Sequence, residues 1–182
     1  EQFIPSLDKS QRVIVDFVNN HTHLIDKSRS NFVFMHHRAP KAPYEKNRDC
    51  KDQRFINGYK GYQESYFCTL KEIDYFMEYI RKNDPDAIVV FQADHGQKSE
   101  ILFDGSPVNK EVVLLDSSIF NAIKFPKHCY KDHQIALTNV NTIRFVLNCA
   151  YDLNIEYEEN IFYYAFYEHE KDYGIVIKSR SQ

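Results

Sequence analysis

Apolar positions recur along this chain at helical spacing in some stretches and as short unbroken runs in others. Val13, Ile14, Phe17, Val18, His21, Leu24 and Ile25 follow one another three and four residues apart, which predicts an amphipathic helix over about residues 8–26. His21 falls on its apolar face and reads as a histidine at the edge of the core, because no second ligating residue stands at a useful spacing. Tyr66, Leu70, Ile73, Met77 and Ile80 repeat the same alternation, with Lys71, Asp74, Glu78 and Arg81 on the other faces, and predict a helix over about 61–82. Phe32 to Met35 and Ala87 to Ala93 are the short apolar runs, read as buried strands, the second opening after the stop Asn83-Asp84-Pro85-Asp86.

A strand, a long helix and a strand in that order form a βαβ unit, whose two strands are parallel and whose crossover is right-handed. Ligands of such sheets collect beyond the carboxyl ends of the strands. His36-His37-Arg38 follows the first strand and Asp94-His95-Gly96 the second, so this topology predicts that both clusters face one crevice. Further on, Val112–Leu115 and Ile119–Phe125 read as strands after a polar loop over 97–111. Leu137, Val140, Ile143, Leu147, Ala150 and Tyr151 mark a helix with Thr138 as its N-cap. The aromatic stretch 161–167 is read as packing against a missing half of the domain in preference to a membrane interface, and Gly174–Ile177 suggests a last strand. The expected fold is therefore α/β, a layered and mainly parallel sheet flanked by helices, with residues 1–182 as a single domain.

Composition narrows the functional classes. At 43% hydrophobic and 27% charged the 182 residues suit a soluble globular domain, and no apolar run approaches the length of a membrane span. With 23 Lys+Arg against 26 Asp+Glu there is no broad basic field, so nucleic acid is not an expected partner. The four cysteines contain no CxxC pair, which excludes a zinc ribbon. Cys68 and Cys149 fall in helical patterns and read as small buried hydrophobes, whereas Cys50 and Cys129 lie in loops where an oxidising compartment would let them pair.

The candidate chemistry lies at the two strand ends. Asp94 and His95 offer a carboxylate oxygen and an imidazole nitrogen, a donor pair suited to Mn²⁺ or Zn²⁺, and Gly96 allows a close turn. Taken alone, the tripeptide is a weak motif that reads as a capped turn with a His beside it, and the apolar strand that aims it at the crevice brings the metal reading level with that one. His36, His37, Arg38 and Lys41, ahead of Pro43-Tyr44, are suited to holding an anionic ester and stabilising charge on a transferring group, the alternative being a solvated basic loop. His128 and His133 are further candidate ligands.

The segments FVFMHHRAPKAPY (32–44), LKEIDYFMEYIRKNDPDAIVVFQADHG (70–96), NAIKFPKHC (121–129) and NTIRFVLNCAYDL (141–153) appear in this order. Over about residues 31–153 the chain resembles the C-terminal half of bacterial sulfatase-like membrane proteins of the alkaline phosphatase superfamily, akin to lipoteichoic acid synthases and phosphoglycerol transferases. The resemblance implies that Asp94 and His95 bind a catalytic divalent metal, with His95 pointing to the phosphoryl-transferring branch and to Mn²⁺ or Zn²⁺. It implies a hydrolase or transferase acting on phosphate or sulfate esters of cell-envelope glycans or lipids. His36 and His37 would stabilise charge, and Arg38, Lys41 and Tyr44 would bind substrate. It also implies an extracytoplasmic location, a membrane attachment through an upstream segment, and a missing N-terminal half carrying the nucleophile. Relatives carry His in a P-H-x-P-Y stretch, where this chain has Pro40-Lys41-Ala42-Pro43-Tyr44. Lys41 keeps the charge and loses the imidazole. That substitution supports a rival expectation, a non-catalytic module that binds anionic glycans.

Overall fold

The longest element is a helix, α2 (Gly58–Asn83), in a computed structural model that describes residues 12–54, 58–96, 114, 117–132, 138–159, 161–168 and 171–178. The chain divides into two units, Glu1–Pro85 and Asp86–Gln182. α2 realises the expected helix over 61–82 with a few residues added at its ends. Asn83 closes it, its side-chain amide donating to the Tyr79 carbonyl at 2.8 Å. Arg81 and Lys82 in the last turn complement the negative end of the helix dipole. Its buried stripe runs through Gly61, Ser65, Cys68, Thr69, Glu72, Phe76 and Ile80; of the expected row only Ile80 lies on it, Tyr66, Leu70, Ile73 and Met77 being half-buried. The hydrophobic period located the helix but not its innermost face, because small and polar residues occupy that face.

α1 (Val13–Asp16) packs against α2 through Ile14 and Phe17, the Phe17 ring lying 6.3 Å from that of Phe76. The expected continuous helix over 8–26 is replaced, within the described residues, by α1, a π-helical turn Phe17–His21 and a 3₁₀ turn Thr22–Leu24. Asn19, Asn20, His21 and Thr22 are weak helix formers whose side chains compete for local partners, and Asn20 donates to Asp16 at 2.7 Å. His21 is half-buried, with Nε2 3.2 Å from Asp16.

Residues 31–39 belong to no strand. Their burial alternates with period two, since Val33, Met35 and His37 are half-buried while Phe32, Phe34, His36 and Arg38 are exposed, Phe32 at 91% and Phe34 at 81%. The expected buried strand at 32–35 is thus corrected to an unpaired extended segment. The alternation of a strand is present, but no neighbouring strand among the described residues completes a ladder. Next comes a tight loop closed by a Lys46–Asp52 bridge, with Cys50 in the left-handed region at φ 60°. It is docked on α2 by Arg48 to Glu64 at 2.9 Å, by Lys71 to Asp49 at 2.7 Å and by a Cys50–Cys68 disulfide.

In the second unit, β1 (Val89–Gln92) lies within the expected strand 87–93 and pairs antiparallel with β2 (Asn121–Lys124), Val89 opposite Lys124 and Gln92 opposite Asn121. β2 falls inside the expected strand 119–125; of the expected strand Val112–Leu115 only Leu114 is among the described residues, and it is helical, while the loop 97–111 lies outside them. α3 (Asn139–Tyr151) begins after Thr138 as expected, although the Thr138 side chain makes no capping bond. It packs on β2 through Asn121 to Thr142 at 3.1 Å, and the Phe145 ring lies edge-on to Phe125 at 5.1 Å. Asp152, left-handed at φ 52°, turns the chain back along α3. There Asn148 exchanges two hydrogen bonds with the backbone of Ile155 (2.9 and 2.8 Å), and Asn141 does the same with Glu158 (2.9 Å each). Seven residues of helix rise about 10.5 Å and three of extended chain about 10 Å, so the two clamps stay in step. The chain ends in an antiparallel hairpin, β3 (Ile161–Glu168) with β4 (Lys171–Lys178), covering the stretch read as aromatic-rich and the suggested last strand.

The cysteine expectation is corrected. Each loop cysteine pairs with a helix cysteine, Cys50 with Cys68 and Cys129 with Cys149, so the helical ones are not free core residues. Spacing along the chain carried no sign of which helix turn each loop would meet.

Candidate functional site

β1 delivers the Asp94-His95 turn. The ladder runs one bond past the strand, Ala93 N–H donating to the Phe120 carbonyl at 2.8 Å, and Asn139 in the first turn of α3 reaches the Ala93 carbonyl at 3.5 Å. Asp94 and His95 are then free of the sheet, with side chains 91% and 54% exposed. Asp94 Oδ1 accepts the His95 backbone N–H at 3.1 Å, and His95 Nδ1 lies 2.6 Å from the Gly96 carbonyl. A carbonyl can only accept, so this contact places the proton on Nδ1 and leaves the Nε2 lone pair available. That is the orientation a metal-binding imidazole needs, with its other nitrogen fixed by a backbone oxygen. Nε2 is 3.8 Å from Asp94 Oδ1, a span that two donors about 2.1 Å from one ion can bridge. Among the described residues no third ligating side chain completes this pair. His128 lies instead beside Cys129 and Cys149, and His133 is outside the described residues.

The basic run does not act as one group. His36, Arg38 and Lys41 are exposed and Tyr44 is half-buried, its ring edge-on to Tyr62 at 6.4 Å. His37 turns the other way: its side chain is 10% exposed, and Nε2 sits 3.4 Å from Glu72 Oε2. Burial, then the nearby Arg12 and His36, push the His37 imidazole down to about 4, so it carries no charge near neutral pH. It is therefore badly placed to stabilise developing negative charge.

Around Glu72 the structure assembles a cluster that sequence reasoning missed. Glu72 is 3% exposed at the centre of the buried stripe of α2, and burial raises its carboxyl while the Arg12 hydrogen bond pulls it back. Cys68, one helical turn before it, places Sγ 3.8 Å from Glu72 Oε1, and one donor atom each from Cys50, Cys68 and Glu72 lies within 4.8 Å of the others. Among the described residues neither ring nitrogen of His37, whose side chain is nine-tenths buried, has a hydrogen-bond partner: the 3.4 Å approach to Glu72 lacks the alignment of a hydrogen bond. The only signal in the sequence was a cysteine and a glutamate four residues apart on one helix.

Compared with protein-family models, with curated proteins and with solved structures, the chain finds no match.

Proposed function

We propose that this chain is the C-terminal part of a metal-dependent hydrolase or transferase that acts on phosphate or sulfate esters, with Asp94 and His95 as metal ligands. The observation that carries the reading is the His95 ring, whose Nδ1 is engaged by the Gly96 carbonyl at 2.6 Å while Nε2 and the neighbouring carboxylate stand exposed at a strand end. An Mn²⁺ or Zn²⁺ ion held there would polarise a nonbridging oxygen of the ester. His36, Arg38 and Lys41 would hold the anionic substrate, within a layered α/β domain completed by an upstream half that carries the nucleophile. The two disulfides are compatible with an extracytoplasmic site of action. Among the described residues no helix is long and apolar enough to cross a membrane, so attachment would fall to the upstream segment.

A second reading, a non-catalytic module for anionic glycans, is favoured by the exposure of His36, Arg38 and Lys41 together. One experiment separates them. In the complete protein, Asp94→Ala and His95→Ala should each lower bound metal and reduce ester turnover by about 10²-fold or more. If both variants keep metal content and turnover, the enzyme reading fails, and loss of glycan binding on Arg38→Ala with Lys41→Ala would then support the module.

A further inference from the structure

We propose that Cys50, Cys68 and Glu72, with His37 beside Glu72 as the fourth donor, form a site for a thiophilic divalent cation, Zn²⁺ by its chemistry, which is available when the Cys50–Cys68 disulfide is reduced. The proposal does not depend on the ester-processing reading, since none of these residues belongs to the Asp94-His95 turn.

Four observations carry it. The donor set is two sulfurs, one carboxylate and one imidazole, a combination that suits tetrahedral Zn²⁺. The spacing is close as well: ligand atoms about 2.0–2.3 Å from a tetrahedral ion lie roughly 3.3–3.8 Å from one another, and here one donor atom each from Cys50, Cys68 and Glu72 lies within 4.8 Å of the others, while His37, outside that group of three, has Nε2 3.4 Å from the second Glu72 oxygen, Oε2. The site is also enclosed, with Cys68 4% and Glu72 3% exposed and the His37 side chain nine-tenths buried. Last, both nitrogens of the His37 ring are buried without a hydrogen-bond partner among the described residues, a costly arrangement that a bound cation would relieve at Nε2.

The backbone supports the same grouping. Cys68 and Glu72 are one turn apart on α2, where i and i+4 side chains share a face. Cys50 is brought over them by the loop that Arg48–Glu64 and Asp49–Lys71 dock on the same helix. Charge closes too, because two thiolates, one carboxylate and Zn²⁺ sum to minus one, and the Arg12 guanidinium bonded to Glu72 supplies the balancing charge.

The redox step is thiol–disulfide exchange. An external dithiol gives up two electrons and two protons, becoming a disulfide, and Cys50 and Cys68 become thiols. Binding of Zn²⁺ then forms two Zn–S bonds and releases the two thiol protons to solvent. The oxidised chain holds the two sulfurs in each other, so its affinity for the ion is low.

The test uses the whole 182-residue chain. Reduced with a phosphine and supplied with one equivalent of Zn²⁺, it should show Cys50 and Cys68 protected from alkylation by peptide mass mapping, with protection lost on adding a chelator. Co²⁺ in place of Zn²⁺ should give tetrahedral d–d bands with sulfur-to-metal charge transfer. His37→Ala and Glu72→Gln should each weaken Co²⁺ binding roughly tenfold or more, while Cys129→Ser leaves the bands of this site in place. The oxidised chain should bind neither ion here. The proposal is overturned if Zn²⁺ protects neither Cys50 nor Cys68, if protection is confined to Cys129 and Cys149, or if both ligand variants bind Co²⁺ as the parent does. The alkylation measurement needs no substitution, so it decides the matter even where a variant fails to fold.

Discussion

His37 shows how one residue's surroundings set its chemistry. Burial holds its folded value at about 4, below the value of about 6.5 for a free imidazole. Above about pH 6.5 it is neutral in both states and adds no pH dependence. As the pH falls from there toward 4, the unfolded chain takes up a proton that the folded chain refuses, so stability drops by roughly 3 kcal/mol across that window and then levels off. Glu72 acts in the opposite sense, because its raised folded value lets the native state bind a proton first and gain stability as the pH falls through that value. Urea unfolding between pH 7 and pH 4 should therefore show a net loss, and His37→Gln should flatten it or reverse its sign. A variant curve parallel to that of the parent would contradict the assignment.

At the level of elements, α3 is held by two asparagines as well as by the buried Phe145. Asn141 is 1% exposed and exchanges both of its amide groups with the Glu158 backbone, and Asn148 repeats this two turns later at Ile155. A side-chain amide standing in for a strand neighbour lets a helix carry an extended segment alongside it. Asn141→Ala should cost about 2 kcal/mol, since it removes both hydrogen bonds of a buried side-chain amide. Denaturant unfolding of the chain measures this, and a loss below about 0.5 kcal/mol would mean that water replaces the amide. The helix itself was legible from Val140, Ile143 and Leu147, yet Val140 and Ile143 proved exposed and Asn141 and Thr142 innermost. Periodicity reports where a helix is; hydrogen bonding decided which side of this one is inside.

For the whole molecule, the exposed basic residues and the Asp94-His95 turn belong to different units, His36, Arg38 and Lys41 to the first and Asp94 and His95 to the second. Among the described residues Thr69, Ser118 and Thr142 direct their hydroxyls to backbone carbonyls. Under the proposed ester-processing reading the nucleophile lies in an upstream segment. The 182-residue chain by itself should accordingly hydrolyse no chromogenic phosphate or sulfate ester when Mn²⁺ or Zn²⁺ is supplied. Turnover that disappears on replacing one Ser or Thr of this chain would show that the nucleophile lies within it.

The sequence by itself determined the elements with strong local signals: α2 from its apolar period, β1 from its β-branched run, and α3 after Thr138. It also determined the adjacency of Asp94 and His95 at a strand end. These follow from interactions a few residues apart, which a linear pattern records. Tertiary structure alone decided the antiparallel pairing of β1 with β2, the unpaired state of 31–39, the disulfide partners, and the meeting of Cys50, Cys68, Glu72 and His37. Each of those depends on which distant segments come into contact, and the free energy of that choice lies in burial and pairing between residues whose separation along the chain says nothing of their distance in space.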